Sequence, residues 1–169
     1  GRSSSGRTRN EAVTRPAELA YVSLDTLGAT SDTSGNVYFT NPLWEQVRDR
    51  QNAFSAVTAF GETSFDLADG GEARRVAGAW VSGDFFRTFS VIAAAGRLFT
   101  KSDDMRGCAG AAVLSHRFWE REYSAAPTVV GTMIRLNGHP FEIAGIAAAG
   151  FRGPDVGREA DVYVPICAQ

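Results

Sequence analysis

Reactive side chains are scarce in this sequence. It has two histidines, two cysteines and two methionines in 169 residues. His116 and His139 have no cysteine or carboxylate at ligand spacing, so the sequence offers no metal framework. Cys108 and Cys167 allow one disulfide; spacing alone does not decide whether they pair, and two free thiols are the simpler reading. Charge of one sign is lacking as well. Seventeen basic and nineteen acidic residues leave a net charge of -2, with both signs scattered, so no broad positive field exists to hold a nucleic acid. Long apolar runs are absent: weakly polar stretches such as Val91 to Ala95 fall far short of the roughly 20 residues of a membrane helix. The start shows no positive region followed by an apolar one, so no signal peptide is read there.

What is present suits a folded domain. Hydrophobic residues are 44% and charged residues 21%, close to the averages for globular chains. The first sixteen residues, "GRSSSGRTRNEAVTRP", read as a polar linker. "ELAYVSLDTL" suits a first strand carrying Tyr21, Val22 and Leu24, followed by a loop rich in Gly, Ser and Thr. "TNPLWEQVRDRQNAF" predicts a helix capped by Asn41, with Pro42 at its first position and Leu43, Trp44 and Val47 on its apolar face. From Phe54 to Phe60 the apolar spacing fits a continued helix or a new strand. "SFDLADGGEARRVAGAWV" predicts a hairpin with a polar tip. "GDFFRTFS" predicts a short helix with Ser82 or Asp84 as cap and Phe85 and Phe89 on one face. "AAAGRLFTKSDD" reads as an irregular small-residue passage. "AAVLSHRFWEREY" predicts a strand ending at Leu114, then a helix capped by Ser115 with Phe118, Trp119 and Tyr123 as an aromatic face.

The sharpest local signal is Asn137-Gly138. This pair favours a type I′ turn and sets Leu136 opposite His139, Ile134 opposite Phe141 and Thr132 opposite Ile143. The last strand should place Val162, Val164 and Ile166 on one face and Tyr163 on the other. Several short strands, three short helices and no repeated βαβ unit predict an α+β fold with mostly antiparallel pairing.

No residue set stands out for catalysis, for a cofactor or for a metal. Asp103 and Asp104, beside Lys101 and Ser102, read as a solvated loop or helix cap. Ser82-Gly83 and Ser115-His116 resemble fragments of nucleophile sites, which helix capping explains. Arg74 and Arg75, near Glu72, fit a charged hairpin edge that discourages stray strand pairing. Trp44, Trp119 and the phenylalanines have the spacing of a core. A hydrolase would need Asp103, Asp104 and His116 to converge in space.

The ordered motifs carry a resemblance. "WVSGDFFRTFSVIAAAGRLFTKSDD", "AAVLSHRFWEREY", "VVGTMIRLNGHPFEIAGIAAAGFRG" and "ADVYVPI" together are similar to the MacB-like periplasmic core domain of ABC transporter permeases, with wording closest to the duplicated orphan permeases, over about residues 17 to 166. The resemblance implies a domain inserted between two membrane helices, outside the cytoplasmic membrane, with two lobes. One is a partial porter-like lobe, whose first segment would be 17–80; the other is a sabre lobe, with the return strand, in 81–169. It implies as partners the membrane helices of the same permease, a second permease copy, a cytoplasmic ATPase and a periplasmic adaptor. Members of the family usually continue after "VYVPI" into a strand and helix that complete the porter lobe; either these would follow Gln169 or this member ends differently. The function implied is transmission of conformational change, or contact with substrate or partner, during efflux. The alternative is an extracytoplasmic ligand-binding or adaptor module.

Overall fold

The computed structural model of the chain describes residues 19–20, 41–68, 74–154 and 159–169. The polar linker, the strand expected around Tyr21 and the tip of the first hairpin with Glu72 lie outside them. Helix α1 spans Asn41–Arg50, so Asn41 belongs to the helix instead of preceding it. The helix also stops short of Phe54: the Gln51 N–H makes a last bond to the Val47 carbonyl at 3.0 Å, and the Gln51 side chain then accepts from the Phe54 N–H at 3.0 Å. Residues 51–59 are neither helix nor strand, and the strand begins only at Phe60.

Strands β1 (Phe60–Leu67) and β2 (Arg74–Val81) form the expected antiparallel hairpin, with Phe60 opposite Val81 and Leu67 opposite Arg74. Then come α2 (Phe85–Thr88), β3 (Ala93–Gly96), β4 (Ala111–Leu114), α3 (His116–Tyr123), β5 (Met133–Leu136), β6 (His139–Ala147) and β7 (Val162–Pro165). The strand order is β3-β6-β4-β7-β2-β1-β5, and β5 also pairs with β6. Six strands therefore close into a ring, with β3 attached outside it. Two pairings, β2–β7 and β4–β6, are parallel, and the other five are antiparallel. The fold is α+β and mostly antiparallel, as the sequence predicts.

The Asn137-Gly138 turn is formed as expected, with φ of 51° and 80°, and Leu136 faces His139 and Ile134 faces Phe141. It has a second role that pairing rules did not reveal. The Asn137 side chain accepts from the Asp66 N–H at 2.8 Å, and the Asn137 N–H donates to the Asp66 carbonyl at 2.9 Å. Beside them Leu67 pairs with Leu136. The turn thus clips β5 to β1 and completes the ring.

Strand alternation divides the apolar residues into two cores. Phe65, Leu67, Val76, Leu114, Ile134, Leu136, Val162 and Val164 belong to one, which Phe118 of α3 joins. Ala79, Val81, Val113 and Tyr163 belong to the other, with Phe85, Phe86, Phe89, Phe99 and Phe151. β2, β4 and β7 each contribute alternate residues to both, so the sheet's middle is buried on both faces. In β6 the alternation breaks: Ile143 and Ile146 share the first core, while Ala144 between them joins the second. A register shift against β4 at Ala112/Val113 accounts for the odd spacing, as a bulge does. Gly145 at that point admits β3, since a Cβ there would lie 2.2 Å from the Arg97 carbonyl oxygen.

Three expectations need correction. Ala93–Gly96 forms a strand on β6; its small side chains carry no periodicity, so only the partner strand reveals it. The Ser82 hydroxyl does not cap α2; it lies 2.8 Å from the Thr58 hydroxyl and accepts from the Ala59 N–H. Asp84, at the cap position, makes no side-chain cap bond either. Ser115 does cap α3, accepting from the Phe118 N–H at 3.2 Å. Finally, Cys108 and Cys167 are disulfide-bonded with Cα atoms 6.1 Å apart, so the two-thiol reading is wrong. The fold brings together residues 59 apart in sequence, which no local signal can foresee.

Candidate functional site

The second core is built around α2. Phe85 is fully buried, and its ring centroid lies 5.1 Å from Phe89, 5.2 Å from Phe86, 5.8 Å from Tyr163, 5.9 Å from Phe60 and 6.0 Å from Phe151. Four-residue spacing puts Phe85 and Phe89 on one side of the helical turn, and Tyr163 projects from β7 toward them because it alternates with Val162 and Val164. Edge-to-face pairs of this kind add to area burial. Beside this cluster is a cleft of about 150 Å³, walled by Phe60, Phe85 and Tyr163 over the small side chains of Ala77 and Ala79, with Glu62 and Glu159 at its margin. The Tyr163 hydroxyl is buried and has no hydrogen-bond partner. Burial pushes its pKa up, and the charges of Glu159 and Asp161 add to the shift.

A second junction forms around Asp104. Thr100 and Asp103 form a capping box around the 3₁₀ turn Lys101–Asp104, and Arg97 holds Asp103 through two bonds of 2.8 and 2.9 Å. The next residue, Asp104, is only 7% exposed. Its carboxylate accepts from the Gly83 N–H at 3.2 Å and lies 3.8 Å from the Arg48 guanidinium. The Trp44 indole N–H and the Cys167 N–H also bear on it, the indole without reaching hydrogen-bond geometry. Asp104 therefore joins α1, the turn before α2 and the last residues of the chain.

Burial raises the Asp104 pKa above its ordinary value, against the Gly83 N–H and Arg48. For an acid whose folded pKa is raised, ionisation costs stability, and that cost grows as pH rises from the unfolded pKa through the folded one. The advantage of the native chain over Asp104→Asn should therefore be larger at pH 4 than at pH 7.5. Urea unfolding of both chains at the two pH values measures this, and a difference that stays constant or shrinks on acidification would contradict it.

A set of ion pairs links β2, α3 and the approach to β7. Arg74 pairs with Glu122, Glu122 with Arg121 at 2.8 Å, Arg121 with Asp161 at 3.3 Å, Arg117 with Glu159 at 3.0 Å, and Arg152 with Glu159 at 2.8 Å. Asp161 also bonds β2 directly, accepting at 3.3 Å from the Ala77 N–H. The sequence reading missed Glu159 and Asp161; the only available signal was a pair of acids just before a wholly apolar strand. Arg75 pairs with Asp66 across the hairpin. Arg74 and Arg75 lie on the part of β2 that pairs with β1 alone, since β7 pairs with β2 only from Gly78 to Val81.

The other candidates stay apart. His116 faces Glu120 at 3.5 Å and stacks edge-on against Trp119. Neither Asp103 nor Asp104 is among its ion-pair partners. His139 is exposed beside its turn. Trp44 is buried, and Trp119 is partly buried with its indole N–H on the Ala126 carbonyl. Among the described residues no three His, Cys, Asp or Glu side chains are placed to hold a metal ion, and no helix is long and apolar enough to cross a membrane.

A mixed sheet closed through a hairpin turn, covered on one face by an aromatic helical plug, defines a two-core α+β domain. Comparison with known proteins gives it a family. The MacB-like periplasmic core domain family matches residues 4–169, and the chain belongs to that family. Among solved structures, the periplasmic region of MacB from Actinobacillus actinomycetemcomitans is similar with a TM-score of 0.63 at 17% identity, over 80% of this chain and 59% of that one. The extracellular domain of the noncanonic ABC-type transporter YknZ from Gram-positive bacteria is similar with a TM-score of 0.57 at 18% identity, over 76% of this chain and 63% of that one. The chain thus matches about three-fifths of the length of each. At such identities the likeness concerns the fold. No curated protein matches in sequence.

Proposed function

We propose that this chain is the extracytoplasmic domain of an ABC-type permease, with no catalysis of its own, which transmits conformational change or contacts substrate or a partner during efflux. The family match over residues 4–169 carries this reading. Residues 17–80 would supply the first porter-like segment and 81–169 the sabre-like lobe and return strand; the division falls at the last residue of β2. Membrane helices of the same permease are the expected attachment. A second permease copy, a cytoplasmic ATPase and a periplasmic adaptor are the expected partners.

Two features support the reading. A disulfide between Cys108 and Cys167 suits an oxidising compartment outside the cytoplasm. A sheet buried on both faces, clipped shut at Asn137, moves as one piece, since close-packed interiors transmit displacement instead of absorbing it. The alternative, a ligand-binding or adaptor module without a transport stroke, would rest on the cleft of about 150 Å³ or on a more open groove of about 700 Å³ lined by Phe86, Val91, Leu98 and Phe99. The test is the coding sequence on either side of this chain. Apolar helices of about 20 residues close to both flanks, with basic residues on their cytoplasmic ends, are the expected result. Flanks that encode no such helix would overturn the reading and leave the binding module in its place.

A further inference from the structure

We propose that the disulfide between Cys108 and Cys167 is a redox-sensitive latch, which holds helix α1 against the sheet domain and releases it when the bond is reduced. Helix α1 is docked outside the two cores: Trp44 is buried yet is in neither of them. The helix is tied instead to the loop 100–108. Arg106 holds Glu45 through two bonds of 2.7 and 3.0 Å. Arg48 donates to the Asp104 carbonyl at 3.3 Å, and its guanidinium lies 3.8 Å from the Asp104 carboxylate.

Each half of the bridge adjoins one of these ties. Arg106 sits in a turn that the Cys108 N–H closes onto the Met105 carbonyl at 2.9 Å, so Cys108 fixes the turn that presents Arg106 to Glu45. On the other side, the Cys167 N–H bears on Asp104, the residue that holds Arg48. An exposed ion pair contributes little once its partners are free to move, and α1 therefore depends on a loop kept in place. The bridge is also within reach of a reductant: both cysteines are only half-buried, and Met105, Arg106, Gly107 and Ala109 around Cys108 are exposed. Accessible disulfides are the ones that serve as labile or regulatory bonds. A dithiol opens such a bond by exchange. Its thiolate attacks one sulfur to give a mixed disulfide, and its second thiol then displaces the cysteine; the S–S bond gains two electrons and two protons, and the dithiol is oxidised to a disulfide. Helix α1 precedes the sheet and the 3₁₀ turn Ile166–Ala168 follows it, so one bond governs both approaches. The inference does not depend on a transport stroke.

The test is amide hydrogen exchange of the full chain, read by mass spectrometry with and without dithiothreitol, with alkylation of both cysteines to score the reduction. On reduction the amides of residues 45–51 should exchange about 10-fold faster through local opening, while those of β6 and β7 keep their protection. Cys108→Ser with Cys167→Ser should show the fast exchange in both conditions. Arg106→Gln should speed exchange in α1 with the bridge still closed. Exchange in α1 that reduction leaves unchanged would overturn the proposal, as would α1 amides unaffected by Arg106→Gln. Loss of protection in β6 and β7 together with α1 would overturn it too, by showing that the bridge holds the whole fold and latches no single element. A bridge that dithiothreitol leaves closed in the folded chain would do the same.

Discussion

Replacing both bridged cysteines, Cys108→Ala with Cys167→Ala, is expected to lower the free energy of unfolding by about 4 kcal/mol, the chain-entropy value for a closed loop of this length. The loop is long, 59 residues, and it contains α3 and β4 to β7. Opening it releases a large set of unfolded conformations. The native state loses a tether as well, because the bridge fastens the 3₁₀ turn Ile166–Ala168 to the loop behind Asp104. Urea unfolding with and without dithiothreitol measures the effect. The native chain should shift to a lower midpoint on reduction, and the double variant should show that lower midpoint in both conditions. A loss below about 1 kcal/mol would mean that the unfolded chain already holds the two ends together.

Phe85→Ala should cost about 3–5 kcal/mol, the range for removing a fully buried aromatic ring. Its neighbours belong to four separate segments: Phe60 starts β1, Phe89 follows α2, Phe151 follows β6 and Tyr163 is on β7. They cannot all move inward, so most of the cavity should remain. Phe85→Leu should cost clearly less, because it keeps much of the volume. Phe54, an exposed phenylalanine, is the control, and Phe54→Ala should stay within about 0.5 kcal/mol. Equal losses at the two positions would show that the cluster around α2 does not hold the sheet.

Segments with a strong local signal were legible in the sequence. The Asn137-Gly138 turn needs positive φ at both positions and carries residues that tolerate it; Ser115 sits where a hydroxyl can meet a free helical N–H; Val162 to Val164 alternate between two cores as pattern alone suggests. What failed was non-local. The β3 alanines become a strand only because β6 lies beside them. Ser82, which looks like a helix cap, turns back to Thr58 and Ala59. Cys108 and Cys167 meet because β7 crosses between β2 and β4. At the cleft, the sequence indicated a core aromatic at Tyr163 but not that its hydroxyl would be left unpartnered, since that depends on the neighbours that folding supplies.

The clip at Asn137 has a consequence for crowding. An open sheet presents unpaired strand edges that recruit other chains and start aggregation. Here, among the described residues, closure of the ring leaves β3 as the exterior strand, four residues long and with its own register shift against β6. Short, irregular edges make poor templates for further strands. A domain with this construction can stand close to identical copies without their sheets joining.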